Sequence, residues 1–199
     1  MKSLRSLPVA LAALLCAGAL GMSSCNSDDE EDRNRKQQSQ IWDKYADWRA
    51  ENNAFFASQR DSLDADGKLF YDVLYPTWNP QAEILIHYFN DRSATAGNLQ
   101  PMLTSTCDVI YYARQSNGTP ADSSYTLNEF GRAIARLKPQ RSIQGIAIAL
   151  MEMHVGDSVQ VVVPYTLGYG SSTGYSFPPF TTLVYNLRLV DIPYYEINN

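Results

Sequence analysis

Between residues 153 and 185 the chain reads Met153-His154-Val155-Gly156-Asp157, then Val163-Pro164-Tyr165-Thr166-Leu167-Gly168-Tyr169-Gly170, then Phe177-Pro178-Pro179, and finally Thr182-Leu183-Val184-Tyr185. Each glycine or proline taken alone has an ordinary explanation, because both residues are common in turns. The order and spacing of the four segments together make the pattern specific.

Alternating and helical periodicities predict the elements around these segments. Residues 158–163 and 183–190 alternate as strands do, and residues 69–75, 82–89 and 107–112 also predict strands. A short helix is expected at about residues 144–153, and Asn117-Gly118 indicates a tight turn. Several antiparallel strands with one short helix define an α+β fold.

Two further segments that belong to the same pattern lie before residue 153. They are Asp122-Ser123-Ser124 and Ser142-Ile143-Gln144-Gly145. With the segments of residues 153–185, they resemble the FKBP-type peptidyl-prolyl cis-trans isomerase family. The resemblance covers about residues 69–192 and implies an FKBP-like antiparallel β-sheet wrapped on a short helix. We expect this domain to occupy residues 67–199, with an insertion at about residues 78–100.

The resemblance also implies a set of site residues. Tyr169 matches the tyrosine whose hydroxyl bonds the ligand, and Ile143 matches the isoleucine whose backbone N–H holds a ligand carbonyl. Ile146 stands where a tryptophan usually floors the pocket. The implied catalytic residues are Tyr111, Asp122, Ile143 and Tyr169, and the implied substrate-binding residues are Ile146, Phe177 and Tyr185.

The family's reaction needs no nucleophile, metal or cofactor, and we expect none. Rotation about an amide is opposed by its partial double-bond character, a barrier of about 18–20 kcal/mol. A twisted amide has less charge separation, so an apolar pocket favours it. His87 and His154 are the only histidines, and neither has a metal-binding spacing.

Three departures reduce the aromatic surface of the implied pocket. Ala121 replaces the signature phenylalanine, Ile146 replaces the tryptophan, and Ala133 or Ile134 stands where another phenylalanine is usual. Two functions therefore remain open: an isomerase and folding helper acting on proline-containing polypeptides, or a non-catalytic FKBP-like peptide-binding module. A structural assembly subunit is a third interpretation. The net charge of −5 and the lack of a basic stripe argue against nucleic acid as a partner.

The first 24 residues predict a lipoprotein signal peptide. Lys2 and Arg5 precede an apolar stretch at residues 9–20, and Met22-Ser23-Ser24-Cys25 resembles a bacterial lipobox. Cys25 would then carry the lipid and anchor the protein to a membrane. The alternative is a secretory peptide cut near Gly21. We expect an outer-membrane lipoprotein of the cell envelope, with the surface of the cell as one possible side.

Residues 25–40 predict an acidic, flexible tether. The run from Asn26 to Asp32 contains five acids, and a block of like charge favours a solvated, unfolded chain. The run also resembles the acidic export tag of Bacteroidota surface lipoproteins. A plain solvated tether is the alternative.

Residues 41–66 predict an N-terminal amphipathic helix, ended by Asp64-Ala65-Asp66-Gly67. Its large apolar residues recur at steps of three and four and form one aromatic face. That face packs either on the following domain or on another copy of the chain. The helix is short for dimerisation, so we expect packing within the chain and a monomer.

Overall fold

The computed structural model describes residues 27–126 and 133–194, so Cys25 and the predicted signal peptide lie outside the described residues. The helices are α1 (Ser27–Lys44), α2 (Ala46–Arg60) and α3 (Gln144–Glu152). The strands are β1 (Asp72–Leu74), β2 (Ile84–Tyr88), β3 (Thr106–Gln115), β4 (Pro120–Ser123), β5 (Ala135–Leu137), β6 (Ser158–Val163) and β7 (Leu183–Tyr194). Single turns of 3-10 helix cover Arg92–Ala94, Ser124–Thr126, Pro139–Arg141 and Tyr165–Leu167.

The strands form one antiparallel sheet, which in the described ranges has seven members. Their order is β1-β2-β6-β7-β3-β4, and β5 pairs with β3. The longest pairing joins β3 to β7, from Thr106 opposite Tyr194 to Gln115 opposite Leu183. The tight turn predicted at Asn117-Gly118 joins β3 to β4, with Gly118 at a φ of 85°. The α+β class and the wrapped sheet are confirmed.

Helix α3 covers one face of the sheet and forms the main core with it. Ile146, Ala149, Leu150 and Met153 are buried there, as the helical spacing predicted. Gly145 permits the close approach, because a Cβ at that position would lie 2.4 Å from Cγ1 of Val163. The start of α3 is therefore pressed against β6.

Helix α2 covers part of the opposite face. Phe55 and Phe56 pack against a second buried cluster, which consists of Tyr71, Leu85, Val162 and Val184. Val184 thus belongs to one face of β7, while its neighbour Tyr185 belongs to the other. The aromatic face of the N-terminal helix packs within the chain, which was the expected one of the two alternatives.

Polar contacts fix α2 to the beginning of β7. Asn52 is fully buried, and its Oδ1 accepts from the Thr182 N–H at 2.7 Å. The Trp48 indole donates to the Thr181 hydroxyl at 3.0 Å. The Arg49 guanidinium lies 3.4 Å from the centroid of the Trp42 ring, whose edge meets Phe180. Helix α2 is therefore part of the folded domain.

The tether predicted for residues 25–40 differs from the structure, in which α1 begins at Ser27. Acids in the first turns of a helix interact favourably with its dipole, and Arg35 pairs with Asp32 at 2.8 Å. The chain divides into two compact units between Lys36 and Gln37, and this boundary falls within α1. At Tyr45 the helix is irregular, but its N–H still donates to the Ile41 carbonyl at 3.1 Å. Residues 27–40, before the expected start of the amphipathic helix at residue 41, are therefore helical as well.

The segment of residues 78–100 contributes β2, which pairs with β1 and β6. The rest of this segment is fastened to the turn before β6 through the buried carboxylate of Asp157. Asp157 accepts from Thr95 at 2.5 Å, from Asn90 at 2.9 Å and from the His154 N–H at 2.8 Å. Burial acts to raise the pKa of Asp157, but these hydrogen bonds lower it below its ordinary value. His154 therefore has a structural contact in this turn.

Candidate active site

A cavity of about 660 Å³ opens beside the first turn of α3. Its walls come from β3, β7, the start of α3 and the loop between β6 and β7. Tyrosine rings dominate the lining, while Asp122 and Arg141 supply the charged groups. The lining residues are Tyr111, Asp122, Leu137, Arg141, Ser142, Ile143, Ile146, Gly168, Tyr169, Tyr175, Tyr185 and Leu187.

The hairpin of β3 and β4 holds Tyr111 and Asp122 together. The Tyr111 hydroxyl donates to Oδ2 of Asp122 at 2.7 Å. Burial raises the pKa of Tyr111, and the hydrogen bond to Asp122 raises it further. The hydroxyl therefore stays protonated at neutral pH and keeps the carboxylate in place.

A second tyrosine pair lies deeper in the cavity. Tyr185 is 6% exposed, and its ring centroid lies 6.1 Å from that of Tyr111. The Tyr185 and Tyr169 hydroxyls lie close enough for each to affect the pKa of the other. Burial raises the pKa of Tyr185 well above its ordinary value, and burial also raises that of Tyr169. Tyr169 lines the cavity, and a protonated hydroxyl there can donate to a ligand.

The loop after β6 builds an aromatic wall. Tyr169 contacts Tyr175 with ring centroids 4.1 Å apart and contacts Phe177 at 5.4 Å. Tyr175 stacks on Phe177 at 5.6 Å. Phe177 is 9% exposed and does not line the cavity; it supports the two tyrosine rings from behind. Phe177 thus lies next to lining residues of the cavity, and its contact with a ligand stays a prediction.

The first turn of α3 contributes a backbone donor and a floor. Ile143 precedes the helix with φ −58° and ψ 148°, and its carbonyl accepts from Ile146 and Ala147. Among the hydrogen bonds of the described residues, none uses the Ile143 N–H. Ile146 is 4% exposed and forms the floor. A helix N-terminus favours a ligand carbonyl or other partly negative group.

The structure brings six of the seven predicted pocket residues to one cavity, all except Phe177. It also adds residues that the sequence did not identify. Leu187 shares a strand face with Tyr185, so alternation could have identified it. Arg141 and Ser142 lie at the end of a 3-10 turn and Tyr175 lies in a loop, and neither kind of segment has such a pattern. Cys25, the predicted lipidation residue, lies outside the described residues.

Besides Ile146, the structure places the other two predicted departures. Ala121 is half-buried and packs against the core. Ala133 has a φ of 56° and Ile134 is 7% exposed, so neither adds a ring to the cavity. The aliphatic side chains of Leu137 and Leu187 form part of the lining instead.

Other chemistries lack support within the described ranges. No group of three or more His, Cys, Asp or Glu side chains there could hold a metal ion. Cys107 is fully buried, and burial raises the pKa of its thiol to about 12, so it is not a thiolate nucleophile at neutral pH. Across residues 27–126 and 133–194, no helix combines the length and apolar character needed to cross a bilayer.

The fold and the cavity define the class: an α+β domain in which an antiparallel sheet and a short helix enclose an aromatic-lined cavity. Residues 97–190 match the sequence profile of the family described as FKBP-type peptidyl-prolyl cis-trans isomerase. These residues form a domain of that family.

One curated protein is similar over part of the chain. Over 93 residues it is 34% identical to the FKBP-type 22 kDa peptidyl-prolyl cis-trans isomerase of Escherichia coli, a match spanning 46% of this chain and 43% of that protein. The chain thus matches less than half the length of this curated relative.

Solved structures share the fold. FkpA from Escherichia coli superposes with a TM-score of 0.60 at 20% identity, covering 82% of this chain and 68% of that chain. A peptidyl-prolyl cis-trans isomerase from Pseudomonas syringae pv. tomato gives 0.57 at 20% identity, covering 74% of this chain and 94% of that chain. At this identity the similarity shows the fold alone.

Proposed function

We propose that the chain is a peptidyl-prolyl cis-trans isomerase that assists the folding of exported, proline-containing proteins. One observation carries the proposal: an open, tyrosine-lined cavity lies beside the Ile143 N–H, which has no hydrogen-bond partner among the described residues. The cavity size suits a prolyl residue with part of its flanking backbone. The FKBP-type domain at residues 97–190 supports the same reaction.

The proposed mechanism uses an apolar environment and orientation, without covalent chemistry. A planar amide has more charge separation than the twisted amide through which the X-Pro bond rotates. Transfer into a cavity lined by rings and aliphatic side chains therefore disfavours the planar ground state more than the twisted state. The barrier to be lowered is about 18–20 kcal/mol, and uncatalysed exchange takes tens to hundreds of seconds.

Each polar group has a defined position in this proposal. The Ile143 N–H donates to a substrate carbonyl next to the proline, and the Tyr169 hydroxyl donates to another backbone carbonyl. Ile146 and the ring of Tyr185 contact the proline ring. Tyr111 acts through Asp122, whose carboxylate it orients at the rim of the cavity.

Replacement of Ile143 by proline tests the backbone donor. Its φ of −58° is the value that proline fixes, and Ser142 before it is extended at ψ 165°, as a residue preceding proline must be. Ile143→Pro therefore removes the N–H while the helix start is retained. Ile143→Ala is the matched control, because it shortens the side chain but keeps the donor.

The assay is proline-limited refolding of a model substrate by the chain from Asn26 onward. We expect acceleration by the parent chain, and Ile143→Pro to lower kcat/KM by about tenfold relative to Ile143→Ala. That ratio corresponds to a hydrogen bond of roughly 1.4 kcal/mol. A parent chain that does not accelerate refolding, even at high concentration, would refute the proposal.

A non-catalytic FKBP-like peptide-binding module is the second candidate, and the smaller aromatic surface at Ala121 and Ile146 favours it. Such a module would bind the same peptides without accelerating their exchange. The double variant Ala121→Phe/Ile146→Trp restores the two rings and distinguishes the candidates. Binding without turnover in both the parent and the double variant would support the module.

The place of action is also part of the proposal. Cys25 and the residues before it support export and lipid attachment at the outer membrane of the cell envelope. The acidic run after Cys25 supports exposure at the cell surface. We propose a monomer, because the aromatic face of α2 packs within the chain.

A further inference from the structure

A second cavity of about 360 Å³ lies next to the candidate active site. It opens on the other side of the junction between the 3-10 helix Pro139–Arg141 and α3. Its lining includes Trp78, Leu103, Pro139, Ser142, Ala147 and Met151. The remaining lining residues of this second cavity are two glutamines, so no charged side chain lines it.

Hydrogen bonds hold the walls of the second cavity in place. The Gln140 N–H donates to the Leu103 carbonyl at 3.0 Å. The Gln100 side chain donates to the Met151 carbonyl at 2.7 Å, which ties residues 100–103 to the end of α3. Trp78 is 56% exposed and Leu103 is 50% exposed, so both offer apolar surface to a ligand.

The two cavities meet at one residue. Ser142 lines both, and its hydroxyl is turned to the Lys138 carbonyl at 3.0 Å. On α3, Ile143 and Ile146 border the first cavity, whereas Ala147 and Met151 border the second. At 3.6 residues per turn these two stripes are about 100° apart, which separates the cavity centres by roughly 8–10 Å.

An extended polypeptide advances about 3.3 Å per residue, so roughly three residues bridge this distance. We propose that the second cavity is a subsite for an apolar side chain located about three residues from the proline of the same polypeptide. The chain of the substrate would pass over Ser142 from one cavity to the other. This inference rests on the proposed function and defines its substrate class more narrowly.

Two long peptides and one short peptide test the subsite with the full-length chain. The long peptides contain about 11 residues around one central proline, enough to cover both cavities. One has Leu at the third and fourth positions on each side of the proline, and the other has Ser at those positions. The short, end-blocked peptide has one residue on each side of the proline and reaches the first cavity alone.

We expect the Leu peptide to bind with a Kd about tenfold lower than the Ser peptide, as measured by titration calorimetry. Leu103→Ser should reduce this ratio to about threefold or less, because it removes apolar surface from the subsite. Leu63→Ser is the matched control, since Leu63 is 62% exposed and lies outside both cavities. This control should leave the ratio unchanged.

The short peptide separates the two proposals, because its exchange rate, measured by nuclear magnetic resonance, depends on the first cavity. Turnover of the short peptide with equal Kd values for the long peptides would overturn the subsite and keep the isomerase. Absence of turnover with the tenfold ratio retained would refute the isomerase and support the subsite. A ratio that survives Leu103→Ser unchanged would also overturn the subsite.

Discussion

The hydroxyl of Tyr169 lines the cavity and can donate to a ligand. Tyr169→Phe removes one hydrogen bond worth about 0.5–1.5 kcal/mol. We expect kcat/KM for a proline peptide to fall by about 2- to 13-fold while the ring contacts with Tyr175 and Phe177 remain. Tyr125→Phe is the control, since Tyr125 is 64% exposed and does not line the cavity. Equal effects of the two changes would contradict this position for Tyr169.

Gly145 sets the distance between α3 and β6. In Gly145→Ala the new methyl group would lie 2.4 Å from Cγ1 of Val163, so either the helix or the strand must shift. Overpacking costs about 1–3 kcal/mol, and the better helix propensity of alanine offsets at most about 1 kcal/mol. We expect lower stability in urea denaturation. Gly97→Ala should be nearly neutral, because a Cβ there meets no atom within 4 Å.

The tyrosines of the cavity should lose their protons at a higher pH than an ordinary tyrosine does. Burial raises the pKa of Tyr111, Tyr169 and Tyr185 above 10.0, so all three stay neutral across the neutral range. Because the folded-state pKa is the higher one, their contribution to stability is complete below pH 10 and is lost as the pH rises further. An ultraviolet titration should show these tyrosines ionising later in the folded than in the urea-unfolded protein. Three titrations at the ordinary pKa would contradict the buried geometry.

Prediction from sequence succeeded at this scale where a residue lies on a regular element or in a motif of fixed spacing. The family resemblance assigned Tyr111, Tyr185, Ile143 and Ile146, and these lie on strands or at the start of a helix, where periodicity also predicted the element. Phe177 lies in the nineteen-residue connection between β6 and β7, residues 164–182, whose path depends on tertiary contacts. The sequence could therefore place it near the cavity but not behind Tyr169.

At the scale of elements, α2 and β7 are joined by the buried side chain of Asn52. Asn52→Ala would leave the Thr182 N–H without its acceptor in a buried position, at a cost of about 1–3 kcal/mol. We expect the midpoint of urea unfolding to fall. Asn53→Ala is a matched control on the same helix, because Asn53 is exposed. If both variants unfold at the parent's midpoint, α2 does not stabilise the sheet.

The elements with strong hydrophobic periodicity were predicted well. The helix that begins in the acidic run was not predicted. Alternation placed β6 and β7, and helical spacing placed α3 within a residue of its observed end. The acidic run was predicted as tether because like charges repel, yet α1 begins at Ser27. Acids near a helix start are favoured by the helix dipole, and this local effect was not weighed against the repulsion.

At the scale of the whole molecule, the lipid anchor is the prediction that determines where the protein acts. Cys25→Ala removes the proposed acylation site and should release the protein from membranes without changing kcat/KM. Membrane fractionation followed by an activity assay on the released protein checks both parts. The parent chain is the control, and a variant that still sediments with membranes would contradict the lipid assignment.

Strand β7 is a wall shared by two compartments, with Val184 turned to α2 and Tyr185 turned to the cavity. Trp42 on α1 and Trp48 and Asn52 on α2 contact residues 180–182, just before this strand begins. A force applied at the amino terminus would act on these contacts before it reached the tyrosine rings of the cavity. A protein anchored through its amino terminus would therefore keep its cavity intact for as long as these contacts hold.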